Sequence, residues 1–242
     1  MRELELDGFI LFPYGVYMEE LSSLVFADFH LGLERAVEEE GLYLPYRQFP
    51  EILEIVKKAI EIYDARNIIL LGDIKHEFGR ASDQEWDEVL SLLRELKGHS
   101  VKVIRGNHDN YLIPILKREG IELDDPYLDL GNYRFAHGHL EVPLDKSLLM
   151  GHEHPAISIR DDFGASVTYK CALYRRKEPR ILVLPAMVRL GYGKDILSSP
   201  REELLSPTLR RIGIDEMEVI VVDEEVGLSD LGSVSDLRKL MR

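Results

Sequence analysis

Eight histidines occur in the 242 residues. Six of them fall into four short clusters: Asp28-Phe29-His30, Gly106-Asn107-His108-Asp109, His137-Gly138-His139 and Gly151-His152-Glu153-His154. A fifth cluster, Gly72-Asp73, has His76 three residues on, and only His99 stands apart. The donors in these clusters are oxygen and nitrogen, with no thiolate. Such a set suits divalent ions that accept imidazole: manganese, iron, cobalt, nickel or zinc. Singly, Asp28, Asp73 and Asn107 read as ordinary turn or capping residues, since Asp and Asn favour those places. Five clusters together argue against that reading.

Each cluster follows a short apolar run that reads as a buried strand: Leu24 to Ala27, Ile68 to Leu71, Val101 to Ile104, Tyr133 to Ala136, and Leu148 to Met150. Strand exits at one edge of an α/β sheet converge, and ligand sites form outside the carboxyl ends of the strands. Five polar clusters at strand exits therefore predict one shared site. Gly72, Gly106 and Gly151 would let the backbone turn so that the next side chain faces it.

Helices separate the early strands. Ile52, Leu53, Val56, Ala59, Ile60 and Tyr63 recur at helical spacing between charged residues. Asp83 to Lys97 repeats the pattern, with Asp83 as N-cap, and Tyr111 to Glu119 is a third helix ended by Gly120. Alternating strands and helices imply crossovers and a partly parallel sheet. After His154 the pattern turns antiparallel, with strands at Ile157 to Arg160, Ser166 to Arg175 and Arg180 to Leu184. Ser199-Pro200-Arg201-Glu202 carries a capping-box pattern and predicts a helix over Arg201 to Leu205. Met217 to Val222 reads as a late strand, and Leu228 to Arg242 as a polar-flanked tail with room for a short helix. With no linker and no repeat, residues 1–242 read as one domain.

The net charge of −14 sets the chain's mean field against the phosphate backbone of nucleic acid. Broad coverage of DNA is disfavoured; local attack on one phosphate beside metal ions is not. Cys171 is the sole cysteine, so no internal disulfide forms, and a small buried apolar role suits it. No apolar run approaches the roughly 18 residues of a membrane span, and the first residues lack the basic-then-apolar pattern of a signal peptide. These readings predict a cytoplasmic protein without a membrane partner. Arg175-Arg176-Lys177 reads as a basic turn between strands, with phosphate contact as its alternative.

The five motifs, in order, resemble the calcineurin-like metallophosphoesterase superfamily: D-x-H, GD, GNH(D/E), H and GHxH. Leu184-Pro185-Ala186 and Leu231-Gly232-Ser233 are similar to the ICC-like prokaryotic subgroup. The resemblance implies an α/β fold, a metallo-dependent phosphatase-like four-layer α/β/β/α sandwich of two mixed sheets. It implies two divalent metal ions, manganese first, with iron, zinc, nickel or cobalt as alternatives. Asp28, His30 and His154 would hold the first; Asn107, His137 and His152 the second; Asp73 would bridge them. His137 is preferred to His139 because in the family the first His before Gly is the ligand. His108 is expected to face the substrate and to protonate the leaving alkoxide or stabilise the transition state, with Asp109 orienting it or raising its pKa. Lys75 and His76 are candidates to reach the substrate; surface or supporting roles are the alternatives for His76 and His139. The expected activity is hydrolysis of a phosphate ester, a phosphodiester of a nucleotide or nucleic-acid end, with local nucleic-acid contact. A small-molecule phosphomonoesterase is one alternative. A metal-stabilised scaffold in a DNA-repair complex is the other, since some members of the subgroup are encoded beside DNA ligase and helicase genes.

Overall fold

The computed structural model describes residues 2–160, 164–191, 193–223 and 225–240. The chain opens with an antiparallel meander, β1 (Leu4–Leu6), β2 (Phe9–Phe12) and β3 (Gly15–Met18), which leads into β4 (Ser23–Phe26). Helices α1 (Leu33–Glu39) and α2 (Phe49–Ile62) carry it to β5 (Asn67–Leu71). Helix α3 (Asp83–Glu95) leads to β6 (Ser100–Ile104), and α4 (Ile113–Arg118) to β7 (Leu123–Asp124). These seven strands form one sheet in sequence order, with β4 to β7 parallel.

A second sheet begins with β8 (Tyr127–Leu130), β9 (Tyr133–Ala136), β10 (Ser147–Met150) and β11 (Pro155–Arg160). It continues through β12 (Ser166–Arg175), β13 (Ile181–Val183) and β14 (Lys194–Asp195). After helix α5 (Pro207–Ile212) come β15 (Glu218–Asp223), β16 (Gly227–Ser233) and α6 (Val234–Leu240). The order is β14-β11-β12-β13-β10-β9-β8, with β15 paired to β12 and β16. Strands β9, β10 and β13 are parallel, so this sheet is mixed as well.

Period-two alternation sends each central strand's side chains to two different cores. Val25, Ala27, Ile69 and Leu71 face Phe135, Leu149, Leu182 and Leu184 between the sheets. Leu24, Phe26, Ile68 and Leu70 pack outward on Ile52, Val56, Val89 and Leu93 of α2 and α3. Leu148, Met150, Ile181 and Val183 pack outward with Leu209 of α5 and Val234 of α6. Both faces of these strands are covered, which is why they read as unbroken apolar runs. The result is the expected α/β/β/α sandwich.

Several expectations need correction. The meander β1 to β3 was not read from the sequence. Ser82, not Asp83, caps α3: its hydroxyl accepts the Glu85 amide at 3.2 Å while the Glu85 carboxylate accepts the Ser82 amide at 2.6 Å. Residues Arg201–Glu203 form only a 3₁₀ turn, because the Ser199 hydroxyl is turned back onto the Asp195 carbonyl at 2.7 Å. The helix lies one step later, where Ser206 accepts the Leu209 amide and Pro207 fills the first turn. The expected helix from Tyr111 splits into a 3₁₀ turn, Asp109–Tyr111, and α4. The tail holds a strand and a helix, β16 and α6; Met241 and Arg242 lie outside the described residues.

Candidate metal centre

All five clusters sit at C-terminal strand ends. Asp28 and His30 follow β4, Asp73 follows β5 and Asn107 follows β6; His137 follows β9, and His152 and His154 follow β10. The exits are cross-braced past the strands: the His30 amide donates to the Asp73 carbonyl, Gly151 to His137, and Val188 to Asp28. Eight non-glycine residues with positive φ occur among the described residues, and five are site residues: Asp28, His30, Asp73, His152 and His154, at φ 46° to 69°. Such backbone costs on the order of 1–3 kcal/mol per residue and persists where its surroundings over-determine it. Gly72, at φ 73°, supplies the turn before Asp73. Gly106 and Gly151 are required for space instead. A Cβ on Gly106 would strike the Asp73 amide, and one on Gly151 would lie 2.6 Å from Asp28 Oδ2.

These turns bring the side chains into two donor groups, Asp28–His30–His154 and Asp73–His137–His152, each with ligand atoms within 4.8 Å of one another. In the first, His154 Nε2 lies 3.4 Å from Asp28 Oδ1 and 3.3 Å from His30 Nε2. In the second, His137 Nε2 lies 3.3 Å from Asp73 Oδ2 and 3.1 Å from Asn107 Oδ1. Asp73 Oδ2 is also 3.7 Å from His30 Nε2, so this carboxylate stands between the groups. His137 Nδ1 donates to the Leu71 carbonyl at 2.8 Å, which aims Nε2 at the two oxygens. A ring nitrogen and two oxygen acceptors converge there, and only a cation makes that favourable.

The charge pattern tests the same point. Burial opposes ionisation of Asp28, yet the His154 imidazole holds its carboxyl below the usual range. Asp73 is likewise held down against burial by His137 and His30. Burial lowers His30 to about 3 and His152 to about 4, leaving neutral imidazoles with available lone pairs. His137 is the exception: burial would lower it, but the Asp73 carboxylate pushes it up to about 9, so a proton does there what a metal cation would do. The donor set therefore fits two divalent ions.

A pH prediction follows for the metal-free protein. His30, His139 and His152 sit at about 3, 4 and 4 in the fold, against 6.5 in the unfolded chain. Below pH 6.5 the unfolded state therefore takes up more protons, and stability falls as pH falls toward 4. Asp109 opposes this: burial raises its carboxyl to about 6 in the fold, so the fold takes up that proton before the unfolded chain does and gains stability as pH falls through about 6. His137 is protonated in both states across this window; its contribution is lost only as pH rises toward about 9. Three groups against one predict a falling Tm between pH 6.5 and 4, checked by calorimetry after metal stripping; a flat or rising Tm there would contradict the assignment.

The remaining candidates divide. His108 lies at the centre, its amide donating to Asp73 Oδ1 at 2.9 Å and its Nε2 3.9 Å from Asp73 Oδ2. Asp109 does not orient it. His108 Nδ1 faces the His76 carbonyl, while buried Asp109 accepts the amides of Ile74, Lys75 and Gly106 and clamps two of the loops together. Lys75 does not reach outward: it is fully buried and its ammonium holds the carbonyls of Glu77 and Gly79. His76 is drawn in beside His30, with Nδ1 atoms 3.3 Å apart, and His30, His76 and His108 form a third donor group. His139 flanks His137 and His152, its ring 5.3 Å and 6.1 Å from theirs. Cys171 is buried, and Arg176 pairs with Asp7 and Glu218 as a structural basic turn.

Two supports escaped the sequence reading. Buried Gln48 donates to the His30 carbonyl at 2.9 Å and accepts the Arg189 amide at 2.8 Å. Buried Glu153, between His152 and His154, accepts the Leu205 and Ser206 amides at 3.0 and 2.9 Å and ties their loop to α5. A polar residue enclosed by histidines was a signal for Glu153; nothing marked Gln48.

Carboxylates and imidazoles gathered where the C-terminal edges of two facing sheets meet suit metal-dependent hydrolysis. The chain belongs to the calcineurin-like phosphoesterase family, whose model matches residues 21–183 and so spans all five clusters. Among solved structures it is similar to Pseudomonas putida nuclease MPE, at 18% identity and a TM-score of 0.67, covering 91% of this chain and 96% of that one. YfcE, a phosphoesterase from E. coli, matches at 15% identity and a TM-score of 0.39, over 88% and 93% of the two chains. No curated protein matches. No helix among the described residues is long and apolar enough to cross a membrane.

Proposed function

We propose that the enzyme is a phosphodiesterase for a nucleotide or nucleic-acid end. Asp28, His30 and His154 would hold one ion, and Asn107, His137 and His152 the other, with Asp73 between them. The observation that carries this reading is the position of Asp73 Oδ2, within 3.7 Å of His30 Nε2 and 3.3 Å of His137 Nε2. Two divalent ions bound there, manganese first, supply Lewis acidity toward the phosphoryl oxygens and lower the pKa of water in the site.

The chain's own residues do the rest. In its charged form His108 has two donors: Nδ1–H is taken by the His76 carbonyl and Nε2–H points into the site. That proton goes to the leaving alkoxide as its bond to phosphorus breaks. Asp109, through three backbone amides, keeps the Asp73 and Asn107 loops in register. The net charge of −14 favours local engagement of one phosphate over coverage of a long strand. The lone buried cysteine supports a reducing, cytoplasmic setting.

The test is turnover of bis-p-nitrophenyl phosphate against p-nitrophenyl phosphate. A diester rate roughly tenfold or more above the monoester rate is expected, about 1.4 kcal/mol of discrimination. Equal rates, or a faster monoester, would contradict the diester preference.

A further inference from the structure

Phe78 is 58% exposed, yet its ring lies 3.8 Å from the His108 imidazole at an interplanar angle of 28°. One face rests on the imidazole assigned to the leaving group; the exposure leaves the rest of the ring open to solvent. The loop bearing it is held on both sides. Glu85, fully buried, accepts the amides of His76, Glu77 and Ser82 at 3.0, 2.6 and 2.6 Å. Buried Lys75 binds the carbonyls of Glu77 and Gly79, on either side of Phe78. Two buried charged side chains thus fix a segment whose most apolar residue stays in water. Core packing gives no reason for this, since burying a Phe is favourable by about 1.5–3 kcal/mol.

A flat, sequence-tolerant apolar surface beside the leaving-group donor suits another aromatic ring. We propose that Phe78 is the stacking platform for a nucleobase on the leaving side of the scissile phosphodiester. The substrate class is then a diester whose released alcohol is a nucleoside hydroxyl. The inference rests on the phosphodiesterase reading above. Water adds to phosphorus and releases one proton to solvent, the bond from phosphorus to the nucleoside oxygen breaks, and that oxygen takes its proton from His108. The products are a phosphomonoester and a nucleoside with a free hydroxyl, and solvent reprotonates His108. Stacking sets the position of the leaving oxygen relative to that proton, and a local contact of this kind is compatible with the acidic surface.

The test compares thymidylyl-thymidine with two analogues in which an abasic tetrahydrofuran residue replaces one nucleoside or the other. The Manganese-loaded wild type, F78A and F78W are assayed. For the wild type, deleting the leaving-side base should lower kcat/KM by roughly tenfold or more, and deleting the other base should do much less. F78A should lose that difference through a raised KM on the base-bearing substrate, and F78W should keep it. Equal slowing of all three diesters by F78A would overturn the proposal, because Phe78 would then act only through His108. A wild type that cleaves all three diesters alike would overturn the platform and leave the diesterase reading intact. A wild type that cleaves no diester but does cleave p-nitrophenyl phosphate would overturn both.

Discussion

Asp73→Asn is expected to lower metal-dependent turnover of bis-p-nitrophenyl phosphate roughly a thousandfold, about 4 kcal/mol of transition-state stabilisation. The substitution keeps the shape and keeps an oxygen for the His108 amide, which Asp73 Oδ1 accepts at 2.9 Å. It removes the negative charge from the point where the two donor groups meet. The new NH₂ would aim its hydrogens at the space the ions require, with His30 and His137 nitrogens 3.7 and 3.3 Å from the present Oδ2. Metal content should fall from two ions per chain toward one. A variant that binds two ions and turns over within threefold of wild type would place the bridge elsewhere.

His108→Ala should separate leaving groups. On a dinucleotide, whose leaving alkoxide needs a proton, the loss should be on the order of 10²- to 10⁴-fold in kcat. On a p-nitrophenyl diester, whose leaving group departs as a stable anion, the loss should be about tenfold or less. The variant should keep its metal, because His108 belongs to neither of the two donor groups that flank Asp73. Full turnover of the dinucleotide by the variant would remove His108 from proton transfer.

The candidate site was legible because each cluster stands at a strand exit, and four of the five strands are buried on both faces; β6, with Lys102 exposed, is the exception. Leu24 to Ala27 and Ile68 to Leu71 leave no polar position until the chain exits the sheet, so Asp28 and Asp73 announce the edge themselves. What stayed hidden depends on direction, which spacing along the chain does not give. Asp109 adjoins His108 in sequence, but the 3₁₀ turn it starts sends its carboxylate back to the Gly106, Ile74 and Lys75 amides. Lys75 looks like a substrate cation until its burial is seen. Ser82 and Asp83 are both good caps, and only the reciprocal bond with Glu85 chooses between them. The Ser199-Pro200 and Ser206-Pro207 pairs offer the same start signal, and the contact of Ser199 with Asp195 decides against the first. The missed meander had its own marker, the Asp7-Gly8 turn between Leu6 and Phe9, both in positive-φ conformations that suit a hairpin.

The most direct test of the two-ion centre is a titration of metal-stripped protein with Mn²⁺, following bound metal, electron paramagnetic resonance and diester turnover together. Two ions held by these residues should give two bound per chain, a spin-coupled signal, and turnover that rises only as the second equivalent binds. Saturation at one ion per chain with full activity, or two bound ions with no hydrolysis of either diester or monoester, would contradict it.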